Sequence, residues 1–199
     1  MRNLRDEVTS LPNLITMFRI AIIPLVLFFI DNASPTRSFI ATLIYTLAAV
    51  SDFFDGYLAR KWGQTSLLGR FLDPLADKIM VMATLVWMVQ HERVPAWLVV
   101  VLLARELAIT GLRAIASSEG LEVRVSDDAK LKTALQFVGI LGLIIHFEYP
   151  ILFTQITVDF HKVGMATLYI SLLFSVYSAV QYIRVFAEAV SDQGPVAAK

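Results

Sequence analysis

The sequence predicts an all-α, polytopic integral membrane protein with six transmembrane helices and both termini cytoplasmic, forming one domain over residues 1–199. Three observations carry that prediction. Of 199 residues, 57% are hydrophobic and only 17% charged, and the mean hydropathy is +0.66, a balance typical of membrane proteins. Apolar runs of spanning length recur along the chain, each near the roughly 20 residues an α-helix needs to cross about 30 Å of hydrocarbon. The basic residues near their ends are unequally shared. One side collects Arg2, Arg5, Arg60, Lys61, Arg70, Lys78, Arg113, Arg124, Lys130, Lys132, Arg184 and Lys199, and the other only Arg37, Arg93 and Lys162. The positive-inside rule assigns the richer side to the cytoplasm.

The composition also excludes several chemistries. Formal net charge is zero, so total charge supplies no attraction to an anionic polymer, and no nucleic-acid partner is predicted. Cysteine is absent, which rules out disulfide, zinc–thiolate and iron–sulfur chemistry.

Met1 to Ser10 is short and charged, with Leu4 and Val8 spaced for a brief amphipathic turn at the membrane surface; the alternative is a frayed terminus. Leu11 to Ile30 is the first span, with Pro12 suited to a first helical turn. Its run is too long, and lacks the small-residue cleavage site, for a removable signal peptide. At 100° per residue Pro12, Asn13, Thr16 and Arg19 fall within about a third of the helix circumference, a face that should look inward. Pro24 is expected to kink or loosen the helix. After a turn at Asp31 to Thr36, Arg37 to Arg60 forms the second span and Gly69 to Gln90 the third, joined by a polar link. Val94 to Ser117 makes the fourth, Lys130 to Phe147 the fifth and Val163 to Phe186 the sixth. The connection holding Tyr149, Pro150 and Asp159 reads as a loop, and Ala187 to Lys199 as a flexible tail.

The chemistry concentrates in SDFFDGYLARKWGQTSLLGRFLDPLADK, residues 51–78. Asp52 and Asp55 lie three apart and Asp73 and Asp77 four apart, so each pair occupies one helix face. Four carboxylates cannot all stay ionised side by side near hydrocarbon without cations. Arg60 and Arg70 could serve in a salt-bridged hairpin, which would need no particular spacing. Divalent cations are the other solution, since hard oxygen donors suit Mg2+, Mn2+ or Ca2+. Two ions shared by several carboxylates would form the clamp used for in-line displacement at phosphorus. Gly56 and Gly69, with Ala59, lie in phase with the aspartates and leave room for a ligand to approach the backbone; the alternative use of small residues is close helix packing.

These residues match every fixed position of the CDP-alcohol phosphotransferase signature: Asp52, Asp55, Gly56, Ala59 and Arg60, then Gly69, Asp73 and Asp77. The chain therefore resembles that family along its whole length, including an LPNLITMFR entrance like the family's first helix. The resemblance implies a membrane enzyme of phospholipid biosynthesis that moves a phosphatidyl or phosphoalcohol group, has CMP as its nucleotide, and requires Mg2+ or Mn2+, as two ions. It implies Asp52, Asp55, Asp73 and Asp77 as metal ligands, with Asp77 also the general base. Asp52, Gly56, Ala59, Arg60 and Gly69 would bind the nucleotide and diphosphate, with Asn13 and Thr16 reaching it from the first span. A homodimer in a bacterial-type inner membrane, its active site facing the cytoplasm, is also implied.

The acceptor is read elsewhere. Arg105, Glu106, Thr110 and Arg113 interrupt the fourth span, and Lys130, Lys132 and Thr133 open the fifth. Ionisable groups at membrane depth are functional candidates, although Glu106 could instead tie spans together through an arginine and the lysines could be interfacial anchors. Arg105, Arg113, Lys130 and Lys132 together suit an acceptor phosphate. The ARELAITGLR and AKLKTALQ stretches resemble the branch of the family whose acceptor is glycerol 3-phosphate and whose donor is CDP-diacylglycerol. Phosphatidylinositol phosphate synthase and cardiolipin synthase of the same family are alternatives. An ion-coupled transporter using the aspartates as a cation site is an alternative from another class.

Overall fold

A computed structural model describes residues 11–31, 34–61, 67–120, 128–150 and 157–192, with side chains for all of these except 11–12, 52–61, 67–71, 73–74, 128–130 and 192. Six helices dominate it: α1 Leu11–Asp31, α2 Pro35–Lys61, α3 Leu67–Gln90, α4 Ala96–Ser118, α5 Asp128–Ile145 and α6 Phe160–Asp192. Two of them, over Asn13–Asp31 and Phe160–Ser191, are long and apolar enough to cross a membrane. α1 runs through Pro24 as one helix.

The boundaries follow local chemistry. Ser34 Oγ accepts the Arg37 amide at 3.3 Å ahead of α2, and Pro35 occupies its first position, where a missing N–H is not felt. α4 stops at a left-handed Gly120, φ 68°, whose amide donates to the Ser117 carbonyl. Asp159 Oδ1 accepts the Lys162 amide at 3.0 Å and caps α6.

Two departures from the sequence reading concern the last helix and the turn before it. Glu148–Pro150 and Thr157–Asp159 form a short antiparallel ribbon, β1 and β2, with Tyr149 opposite Val158. Tyr149 Oη fastens it to the Pro35 carbonyl at 2.8 Å. The flexible tail expected from Ala187 is helical as far as Asp192. Apolar periodicity fades at Phe186, but Ala187, Glu188 and Ala189 are good helix formers and the breakers Gly194 and Pro195 come later. The surface turn expected over Met1 to Ser10 lies outside the described residues.

α1 packs on α2 and α3, α2 on α5, α3 on α4, and α4 on α6, while α5 and α6 form the most extensive contact. That contact depends on glycine. A Cβ on Gly142 would lie 2.8 Å from the Gly164 Cα, and one on Gly164 only 2.7 Å from the Leu143 amide nitrogen. The two backbones therefore touch, as small residues permit between membrane helices. Gly164→Val is expected to cost about 1–3 kcal/mol through overpacking. An unfolding midpoint in detergent equal to that of the parent would refute the contact.

The core holds Ile30, Tyr45, Leu85, Met88, Leu98, Ile140, Leu143 and Leu168. Asn13, Thr16 and Arg19 are buried as the helical wheel predicts, while Phe18, Leu47, Val100 and Leu173 are more than 60% exposed. Polar residues turned inward beneath a belt of exposed large apolar side chains suit a surface solvated by lipid.

Candidate active site

α2 carries Asp52, Asp55, Gly56, Ala59 and Arg60 in its last turns, and α3 carries Gly69, Asp73 and Asp77 in its first turns. The signature thus straddles two consecutive helices. Of these residues Asp77 is the one whose side chain is described, and it is solvent-exposed at the wall of a cavity of about 120 Å³. The other aspartates, the small residues, Arg60 and Lys130 are placed by their backbone alone. Asn13 and Thr16 are buried on α1, which packs against both helices of the signature.

The cavity lies between α2, α3, α4 and α5, and its polar wall comprises Asp77, Lys78, Glu106, Lys132, Thr133 and Gln136. These groups are mutually arranged. Lys132 Nζ donates to Glu106 Oε2 at 2.6 Å, and Lys78 Nζ donates to Thr110 Oγ1 at 2.5 Å. Thr110 Oγ1 in turn donates to the Glu106 carbonyl, one turn back on α4. The Lys132 side chain is only 7% exposed, so one carboxylate serves as counter-ion to a nearly dehydrated ammonium. An ammonium has three donors, and among the described residues Lys132 Nζ spends one of them, on Glu106.

The four residues expected to hold an acceptor phosphate divide. Lys132 lines the cavity. Arg105 is turned along α4, donating through Nε to the Ser175 carbonyl of α6 at 2.8 Å and through Nη1 to Glu106 at 3.1 Å. Arg113 sits over the Tyr182 ring, 5.6 Å from its centroid. Neither arginine is among the residues lining the cavity. Lys78, which was not expected in this group, does line the cavity. In the sequence Lys78 stands only as part of the opening of the third span, about 100° round the helix from Asp77.

Tyr45 and Gln136 were not anticipated as lining residues, and both carried a periodicity signal. Tyr45 stands seven residues before Asp52, hence two turns deeper on nearly the same face, and Gln136 stands one turn after Lys132.

The far end of the bundle is built differently. His146 Nδ1 and His161 Nδ1 meet at 3.1 Å, and His91 Nε2 lies 3.1 Å from Asp31. None of the three histidines approaches the cavity.

Comparison with known proteins adds a second line of evidence. The model of the CDP-alcohol phosphatidyltransferase family matches residues 9–180. The chain is 34% identical over 185 residues to the CDP-diacylglycerol–glycerol-3-phosphate 3-phosphatidyltransferase of Bacillus subtilis, covering 87% of this chain and 93% of the relative. It is 34% identical over 190 residues to the protein of that name from Haemophilus influenzae, covering 92% and 96%. A Rickettsia typhi protein of the same name is 37% identical over 138 residues, covering 68% and 76%.

Proposed function

Because the chain belongs to the CDP-alcohol phosphatidyltransferase family, we infer that it transfers the phosphatidyl group of CDP-diacylglycerol to glycerol 3-phosphate and releases CMP, a step of phospholipid biosynthesis. The observation that carries this reading is one cavity lined by a carboxylate, Asp77, and by two lysines, Lys78 and Lys132. A phosphorylated alcohol has the same polarity: an anionic end for lysines and a hydroxyl end that must lose a proton.

The acceptor phosphate is held by Lys132 and Lys78, with Lys130 adding positive charge at the start of α5 and Arg105 and Arg113 bracing the wall from behind. Asp77 accepts the proton of the attacking primary hydroxyl, and the oxygen forms a bond to the lipid-side phosphorus as the bond to the CMP oxygen breaks. Asp52, Asp55 and Asp73, together with Asp77, offer only hard oxygen donors, a set that fits Mg2+ or Mn2+. Bound there, two ions would offset the diphosphate's charge. Gly56, Ala59 and Gly69 are assigned to the cytidine and Arg60 to the diphosphate, with Asn13 and Thr16 completing the nucleotide side from α1.

All six helices cross the membrane, with both termini and the signature at the cytoplasmic face of a bacterial-type inner membrane. The polar span α4 keeps its charge paired, Arg105 with Glu106 and Glu106 with Lys132, and Asp77, Lys78 and Glu106 line the cavity. The cavity opens towards lipid for the acyl chains and towards water for the acceptor. The protein acts as a homodimer.

Purified protein supplied with CDP-diacylglycerol, Mg2+ or Mn2+ and a panel of labelled acceptors is expected to release CMP and form lipid product with glycerol 3-phosphate. Product from inositol phosphate or phosphatidylglycerol in its place would transfer the assignment to another branch. Cation flux without CMP release would favour a transporter.

A further inference from the structure

Tyr45 is completely buried, yet its hydroxyl oxygen has no hydrogen-bond partner among the described residues. A buried hydroxyl left unpaired is unfavourable, and native structures rarely keep one without a reason. Tyr45 also lines the cavity that holds Asp77, Lys78 and Lys132. Its ring is fixed there by stacking on Phe137, with centroids 6.0 Å apart and planes 26° from parallel. The cavity's apolar lining includes Ala49, Met80, Leu102 and Phe137. A polar group on a bound molecule that reaches Tyr45 meets a hydroxyl with no other partner among the described residues.

We propose that the Tyr45 hydroxyl is a substrate-positioning contact that hydrogen-bonds the acceptor's secondary, unreactive hydroxyl and so holds its primary hydroxyl at Asp77. The proposal rests on the reading of the cavity as the acceptor site. Three points then fix the acceptor: its phosphate at the two lysines, its nucleophile at Asp77 and its remaining hydroxyl at Tyr45. A rigid aromatic donor suits this task because its direction is set before the ligand arrives. A site built around a substrate hydroxyl also discriminates against analogues that lack it.

The test crosses Tyr45→Phe with two acceptors, glycerol 3-phosphate and 3-hydroxypropyl phosphate, which keeps the phosphate and the primary hydroxyl and lacks the secondary one. With glycerol 3-phosphate, Y45F is expected to lower kcat/KM about five- to tenfold, the effect of one neutral hydrogen bond, with the KM for CDP-diacylglycerol unchanged. With 3-hydroxypropyl phosphate the two proteins should be equally active, because the contact is missing in both. The unfolding midpoint of Y45F should be equal to or above the parent's, since an unpaired buried hydroxyl has been removed; a residue of purely structural importance would not show lower activity with undiminished stability. The same loss with both acceptors, or no loss with either, overturns the proposal. Failure of the underlying reading looks different: the unmodified protein would form no lipid product from glycerol 3-phosphate, and the proposal would fall with it.

Discussion

Asp77→Asn is expected to lower turnover by about 10²–10⁴-fold, the range removed with a general base, and further if a metal ligand is lost with it. The substitution keeps the shape of the side chain and removes its ability to take a proton. The fold should be indifferent, because Asp77 is solvent-exposed at the cavity wall, so the unfolding midpoint and the elution volume in detergent should match the parent. The kinetic signature separates roles. A base acts on the reacting proton, so the loss should fall on kcat in single-turnover measurements with both substrates saturating, whereas a group that merely balanced Lys78 would change the acceptor's KM and its salt dependence. Full turnover by the asparagine variant would remove Asp77 from the mechanism.

How far the sequence reached depended on the range of the interactions. Six helices were legible because hydropathy is a local signal, and apart from the C-terminal end of α6 the described ends fall within a few residues of those expected. The inward face of α1 was legible because Asn13, Thr16 and Arg19 repeat at helical spacing. The acceptor wall was only partly legible. Arg105 and Lys132 were recognised as charged groups at membrane depth, but Arg105 finds its partner at Ser175, 70 residues away, and Arg113 finds Tyr182. Nothing local to α4 announces that its arginines turn towards α6 while Glu106 turns towards α5. The glycine contact was missed for the same reason: Gly142 and Gly164 lie on different helices, and neither belongs to a motif.

Arg93 is the second site of large expected effect, and it acts on the fold. In the positive-inside argument it counted as one of three basic residues on the sparse side of the membrane. The structure shows what occupies its charge. Arg93 is 2% exposed, and its guanidinium donates through Nη1 to the carbonyls of Leu143 and Ile144, at 3.3 and 3.0 Å, and through Nη2 to that of Ile30, at 3.2 Å. Those carbonyls belong to the last turns of α1 and α5, where helix carbonyls lack intrahelical partners and the dipoles present negative ends. Its own amide donates to the Met88 carbonyl near the end of α3. One side chain thus closes the ends of helices that are far apart in the chain. Burial depresses the Arg93 pKa, but a guanidinium remains charged, so its full charge is available to the carbonyls. Arg93→Met keeps much of the apolar volume and strands three buried acceptors, and it is expected to destabilise the protein by about 3–5 kcal/mol, the cost of leaving one side of a buried charged contact unpaired. Arg93→Lys should recover part of that, since one ammonium can reach α1 or α5 and lacks the fork that spans both. Equilibrium unfolding in mixed micelles should rank the parent above R93K and R93K above R93M. Arg93 lies far from Asp77 along the bundle, so kcat per folded molecule should stay near the parent value in both variants. Equal stability of R93M and the parent would mean that the three carbonyls are satisfied without Arg93, and loss of kcat in fully folded R93K would mean that the far end is coupled to the cavity.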